Sequence, residues 1–283
     1  MSGRFSRSLD LAKASWSVVR ADKELMILPV LSVLALLVLV GSFALPLAAL
    51  GAFNPEAMGP EPGPGSWIVG FAFYVVAYFI GIFFNTALVG AAMIRMDGGN
   101  PTLSDGLGIA WARVGRIFGY ACIAATVGLF LRMLEERVGW VGQIVVKLLG
   151  VAWALSTFLV LPVIVTRDVG PVDAVKESAG LLRETWGENL IGSVGLSLVF
   201  AVAYLGLILI CVAGVFLGVQ ANLPLVIAVV ILAGIVALLV LAALQATMQG
   251  VYSAALYRYA TNDGAPTPGF GPELMQQAFK VKG

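Results

Sequence analysis

Six long apolar runs, separated by short polar segments, constrain this chain more than any other feature. They lie at 25–53, 67–94, 117–134, 140–166, 190–219 and 225–257. A helix needs about 20 apolar residues to cross the hydrocarbon core of a bilayer, and the runs are of that order or longer. Only 12% of the residues are charged and 60% are hydrophobic, where a soluble domain carries about 25% charge. Lipid is therefore the expected solvent. In lipid every backbone group must be satisfied within the segment, so the spans read as helices and the chain as an all-α integral membrane protein. Several runs exceed the minimum, which predicts tilt or kinks, with Pro29, Pro46 and Pro162 as candidate kink positions. The first run is too long for a signal peptide and no small-residue cleavage site follows it.

Charge sets the expected orientation. The side that holds both termini carries Arg4, Arg7, Lys13, Arg20, Lys23, Arg95, Arg113, Arg116, Arg167, Lys176, Arg183, Arg258, Lys280 and Lys282. The other side carries only Arg132, Arg137 and Lys147. The positive-inside rule then places both termini in the cytoplasm of a bacterial cell, with the chain in the inner (plasma) membrane.

A threefold internal repeat emerges when the segments before the odd-numbered spans are laid over one another. Asp10, Asp105 and Asp173 align. At fixed offsets follow Ala12, Leu107 and Val175, then Trp16, Trp111 and Ala179, then Val19, Val114 and Leu182. This i, i+4, i+7 spacing is one face of a helix. The opposite face carries Lys13, Lys176, Arg20 and Arg183. The aspartates fall where N-caps are expected, two of them soon after Pro101 and Pro171. Each even-numbered span ends in an arginine, Arg95, Arg167 or Arg258. The expected architecture is one transmembrane domain over 1–283, with hairpin repeats at 5–97, 101–168 and 171–263. Each hairpin is preceded by a cytoplasmic amphipathic elbow helix, and an amphipathic tail fills 264–283. The elbows would lie in the interface, their apolar stripe in the acyl boundary and their cations against phosphate, with Trp16, Arg20, Trp111, Arg183 and Trp186 as the interfacial residues.

A polar layer recurs inside the even spans. Ten residues before each arginine stand Asn85, Thr157 and Met248, with Thr86, Ser156, Thr247 and Gln249 beside them and Gln245 one turn deeper. The layer is about 15 Å from the arginine along each helix. Meeting around a pseudo-threefold axis, these groups would line a small polar pathway; packed against neighbours, they would form interhelical hydrogen bonds. Near the far side, Arg132, Glu136, Gln143 and Lys147 share one helical stripe, and Lys147 is expected to snorkel outward or pair with Glu136. The pairs Gly115/Gly119 and Gly214/Gly218 have the spacing of close helix contacts.

Histidine is absent, which removes the commonest metal ligand and the usual general base. No phosphate-binding glycine loop follows a strand pattern. The net charge of +1 argues against a nucleic-acid partner, and Cys122 and Cys211 both lie in apolar runs, where they read as small buried hydrophobes. No cofactor is expected. The one arrangement that would suit a metal-dependent lipid enzyme is Asp168, Asp173 and Glu177.

The opening Gly3-Arg-Phe-Ser-Arg-Ser-Leu-Asp-Leu-Ala-Lys-Ala-Ser-Trp16, followed by Asp22-Lys-Glu-Leu and Leu28-Pro-Val-Leu-Ser32, resembles an uncharacterised bacterial and archaeal family of six-span membrane proteins. Asp173-Ala-Val-Lys-Glu-Ser-Ala and Trp186-Gly187 have the same look. More distantly, the alternation of elbow and hairpin is similar to the membrane domain fused to some glycerophosphodiester phosphodiesterases. That resemblance implies a fold and no functional residue.

These features favour a non-enzymatic multi-pass protein with a structural, lipid-organising or assembly role. Its partners would be membrane lipids, with a second copy or another membrane protein open beside them. The alternative is a small transporter or channel that uses the polar layer. Three repeats in parallel orientation weigh against the inverted-repeat transporter architecture.

Overall fold

The computed structural model describes residues 15–16, 19–20, 23–49, 64–186 and 191–261. Expectations that fall elsewhere, on Asp10, Ala12, Lys13, Gly187 and the 264–283 tail, lie outside the described residues. All regular structure among the described residues is helical. A 3₁₀ turn, Lys23–Met26, leads into α1 (Ile27–Ala49). Then come α2 (Pro64–Met96), α3 (Leu103–Ala112), α4 (Val114–Arg137), α5 (Trp140–Ser156), α6 (Val160–Thr166), α7 (Pro171–Trp186), α8 (Ile191–Gln220) and α9 (Pro224–Thr261). Among the described residues six stretches are long and apolar enough to cross a membrane: Glu24–Pro46, Trp67–Met96, Val114–Arg137, Trp140–Thr166, Ser197–Gln220 and Pro224–Thr261. Their exposed faces carry large apolar side chains such as Leu37, Val38, Leu209, Ile210, Leu225 and Leu232. A surface of this kind is a lipid-facing one.

By contact the chain divides into two compact units. One unit, Leu31–Ala91 and Thr102–Leu182, holds most of α1 and α2 with α3 to α7. Rings of Phe43 and Phe73 meet edge-on at 5.1 Å between α1 and α2. On α2, Phe79 meets Phe118 of α4 at 5.8 Å and Phe83 meets Trp111 of α3 at 6.1 Å. Gly128 of α4 leaves room for the Tyr74 and Tyr78 hydroxyls, which would lie 3.1 and 3.0 Å from a Cβ there. Helix α3 approaches α2 closely, because a Cβ on Gly106 would come within 2.8 Å of the Ala87 carbonyl oxygen.

The other unit comprises Met1–Val30, Ala92–Pro101 and Arg183–Gly283. Its main feature is the α8–α9 hairpin, where Gly214 faces Val230 and Gly218 faces Ile227. The second expected small-residue pair thus serves a contact within one hairpin. The turn is a Schellman cap on α8: Leu223 N–H donates to Gly218 O at 3.0 Å and Asn222 N–H to Val219 O at 3.1 Å. Asn222 takes the positive φ of 56° that this cap needs, and Pro224 starts the next helix. The same device ends α2, with Gly98 at φ 85° and Gly99 N–H donating to Ile94 O.

The fourth span is not continuous. Helix α5 stops at Ser156 and α6 resumes at Val160. Pro162 has no N–H and its ring crowds the carbonyl four residues back, which is Phe158. Of the three candidate kinks this one coincides with a break. Pro29 sits in the first turn of α1, where a missing N–H costs nothing, and Pro46 in its last.

Burial in the even spans concentrates at the arginine end. Every residue of 86–93 is buried, as are 250–257 and, in the fourth span, Leu159, Val160 and 162–165.

Candidate functional site

Within the Leu31–Ala91 and Thr102–Leu182 unit, the charged side chains gather where α3, α4, α6 and α7 meet. Helix α3 starts with a capping box: Thr102 is the N-cap, and Asp105, three residues on, accepts from the Thr102 N–H at 2.9 Å. Thr102 Oγ1 accepts from the Asp105 N–H at 3.2 Å. The aspartate is therefore the third residue of the helix and not the cap itself. Asp173 occupies the same third position in α7, which begins at Pro171. The hydrogen bond from the Thr102 backbone holds the Asp105 carboxyl below its ordinary value of 3.8.

Arg113 is the joint between α3 and α4. Its Nε donates to the Ile164 carbonyl at 2.8 Å, which satisfies a carbonyl in the last turn of α6. Arg116 pairs with Asp168. Arg167 pairs with Glu177 at 3.3 Å and Lys176 with Asp173 at 3.2 Å. Each carboxylate of the candidate metal arrangement, Asp168, Asp173 and Glu177, thus faces its own cation. Among the described residues no three His, Cys, Asp or Glu side chains stand together as metal ligands would.

Helix α7 is tied to the break in the fourth span. The Leu159 N–H, freed where α5 ends, donates to Ser178 Oγ at 3.0 Å, and Ser178 is fully buried. Ala174, Ser178 and Leu182 form the buried face of α7. In α3 the matching face is Gly106 and Ala110. Ser15, one residue before Trp16, is likewise fully buried. The protein-packed face of these segments is therefore small-residued and lies one residue before the aromatic stripe read from the sequence. Only the two tryptophans of that stripe are left outside, Trp111 70% and Trp16 41% exposed; Ala179 is half-buried, and the stripe's Val19 and Leu182 are buried. Arg20 and Arg183 are exposed, and Trp186 is the last residue of α7.

The polar-layer hydroxyls turn back onto their own helices. Thr86 donates to Ile82 O, Ser156 to Ala152 O, Thr157 to Trp153 O and the buried Thr247 to Ala243 O, at 2.8–2.9 Å. Thr157 also lies beside the Tyr120 hydroxyl of α4. Asn85 is exposed, and Gln245 and Gln249 are half-buried. Sequence reasoning missed Ser178 and Arg113. A serine on an amphipathic helix and an arginine between helices carry no local signal, since their donor and acceptor lie 19 and 51 residues away.

On the far side, Lys147 approaches Glu135 at 3.7 Å, and Glu136 is held by Arg132 at 3.3 Å. Lys147 therefore pairs with the neighbour of the expected partner.

Six apolar helices with lipid-like exposed faces define a multi-pass membrane protein. Residues 65–267 match a family described as a family of unknown function (DUF6159), and the chain belongs to that family. The match begins after the N-terminal block on which the resemblance was read. No curated protein and no solved structure matches the chain.

Proposed function

We propose that this is a non-enzymatic, threefold-repeated membrane protein with a structural or lipid-organising role, held in the inner membrane with both termini cytoplasmic. In this reading α3, α7 and the segment around Trp16 are elbow helices that grip the cytoplasmic leaflet. The carrying observation is the two-faced character of α3 and α7. A small-residue face docks on the protein, while Trp111 of α3 is exposed beside a half-buried Leu107, and Val172, Lys176 and Arg183 of α7 are exposed. Trp is the side chain that favours the interface, and the exposed Lys176 and Arg183 of α7 suit phosphate. The repeat is supported by the third-position aspartates of α3 and α7. It is further supported by the buried stretches 86–93, 162–165 and 250–256, which fall within the same eight positions when Arg95, Arg167 and Arg258 are aligned.

The intrahelical bonding of Thr86, Ser156, Thr157 and Thr247 favours this reading over a channel, because hydroxyls bonded to their own backbone offer little to a passing ion. Single cysteines at Asn85, Thr157 and Gln249, in a background free of Cys122 and Cys211, test it in native membranes. Phe84 and Phe158 serve as controls. Silence toward a small charged thiol reagent added from the non-cytoplasmic side is the expected result at all three. Rapid labelling at all three from that side, with silent controls, would replace this reading with an aqueous pathway.

A further inference from the structure

Helix α4 fixes where the hydrocarbon core can lie. Its charged residues Arg116 and Arg132 are each engaged by a carboxylate, Asp168 and Glu136, at opposite ends of the span. They stand 16 residues apart, about 24 Å along the axis, which is shorter than the ~30 Å core and is made up by the reach of the two long side chains. No placement of the membrane can move far in either direction without submerging one of these charges.

The neighbouring helices carry that level across the unit. Trp111 lies against Phe83 and Phe118 against Phe79, so the level of Arg116 on α2 falls near 79–83, just short of Asn85. Thr157 lies beside Tyr120, one turn from Arg116. Pro171 packs on Gly119, which puts the exposed Val172 near the same turn of α4. Independent lengths agree. Trp67 and Trp140, both largely exposed, mark the other end of spans two and four. From Trp67 to Asn85 is about 27 Å and from Trp140 to Thr157 about 26 Å at helical rise, each close to one hydrocarbon thickness. Beyond Asn85 helix α2 no longer shows an exposed side chain to lipid, since every residue of 86–93 is buried.

We infer that phospholipid headgroups meet this unit on a belt through Asn85, Trp111, Thr157 and Val172, level with the Arg116–Asp168 pair. The polar residues of spans two and four are then a boundary belt and not the floor of a mid-membrane pathway. The inference deepens the elbow reading, on which it rests for the placement of α3 and α7. The exposed Asn85 amide needs no protein partner at that depth, because headgroups and water supply one.

Depth measurement tests it. Single cysteines replace Val76, Asn85, Ala112 and Val172 in the full chain, are spin-labelled and are reconstituted in phosphatidylethanolamine–phosphatidylglycerol vesicles. Relaxation by oxygen against a nickel chelate reports depth. Ala112 is the exposed neighbour of Trp111, so the tryptophan stays in place. The labels at Asn85, Ala112 and Val172 are expected at headgroup depth, with Val76 about 13 Å deeper, its nine residues from Asn85 along the helix. If Asn85→Cys fails to fold, the half-exposed Phe84 takes its place. A label at Asn85 as deep as that at Val76, with Ala112 and Val172 at the headgroups, overturns the belt and leaves the elbow reading intact. Labels at Ala112 and Val172 out in water, with Asn85 at the headgroups, sink the elbow reading and with it the belt across α3 and α7.

Discussion

Ser178 Oγ accepts a hydrogen bond from the backbone N–H of Leu159 at 3.0 Å, so an amphipathic helix supplies the group that a broken membrane span leaves unsatisfied. Pro162 causes the break and Ser178 closes it. Removing the hydroxyl strands a buried N–H, at a cost of about 1–3 kcal/mol. We predict that Ser178→Ala lowers the unfolding temperature in detergent. The loss shrinks in a Pro162→Ala background, where the span can continue and Leu159 can bond to Leu155 instead. Additive effects of the two substitutions in a double-mutant cycle would mean that the serine and the break are unconnected.

Gly106 lies where α3 crosses α2, with the Ala87 carbonyl oxygen 2.8 Å from a would-be Cβ. Gly108, two residues on, has open space. Alanine in a helix is worth about 1 kcal/mol over glycine, so Gly108→Ala should raise stability by up to that amount. Gly106→Ala should lower it by about 1–3 kcal/mol, because backbone must move to admit the methyl. Thermal unfolding of the two variants side by side decides the matter. Equal responses would mean that α3 does not dock on α2 through this glycine.

The capping box of α3 predicts a pH dependence with a definite sign. Thr102 lowers the Asp105 carboxyl below 3.8, so the charged form is the one the fold favours. Its contribution is complete at neutral pH and is lost as pH falls through the folded-state value. Asp105→Ala should therefore destabilise the protein at pH 7, and the gap from the unsubstituted chain should narrow as the pH is taken below 3.8. A gap that stays constant between these pH values would show that the carboxylate is not the capping group.

The six spans were legible because a bilayer crossing leaves a long, charge-poor run that needs no tertiary information. The kink at Pro162 was legible for a local reason as well, the missing N–H. Its repair was not, because Ser178 becomes a partner of Leu159 only once α7 has folded against the span. The face of the elbow helices was displaced by one residue for a different reason. Sequence reading follows large apolar side chains, Leu107 and Trp111, whereas the docking surface is built from Gly106, Ala110, Ala174 and Ser178. Close helix contact in membranes selects small residues, and these carry little hydrophobic signal. Lys147 shows the limit of spacing rules across a turn: its stripe included Glu136, yet Arg132 on the same helix holds Glu136 and leaves Glu135 for the lysine.

A last prediction concerns the α8–α9 hairpin and the cysteine-free background that labelling requires. Cys211 Sγ lies 2.7 Å from where a Cβ on Gly234 would stand, while Cys211 Cβ is 3.7 Å away. Gly234→Ala alone should therefore crowd the sulfur and loosen the hairpin. Cys211→Ala alone should leave a methyl-sized void, at about 1 kcal/mol. Together the two fit, because the new methyl fills the space the sulfur vacates and meets Cys211 Cβ at ordinary contact distance. The double variant should thus unfold closer to the unsubstituted chain than either single one does. A double variant no better than the worse single one would mean that α8 and α9 do not pack through this pair. Compensation at this one site would make Cys122→Ala with Cys211→Ala and Gly234→Ala the sound starting point for the depth and accessibility measurements, since a hairpin weakened by the cysteine removal itself would admit reagent for reasons unrelated to any pathway.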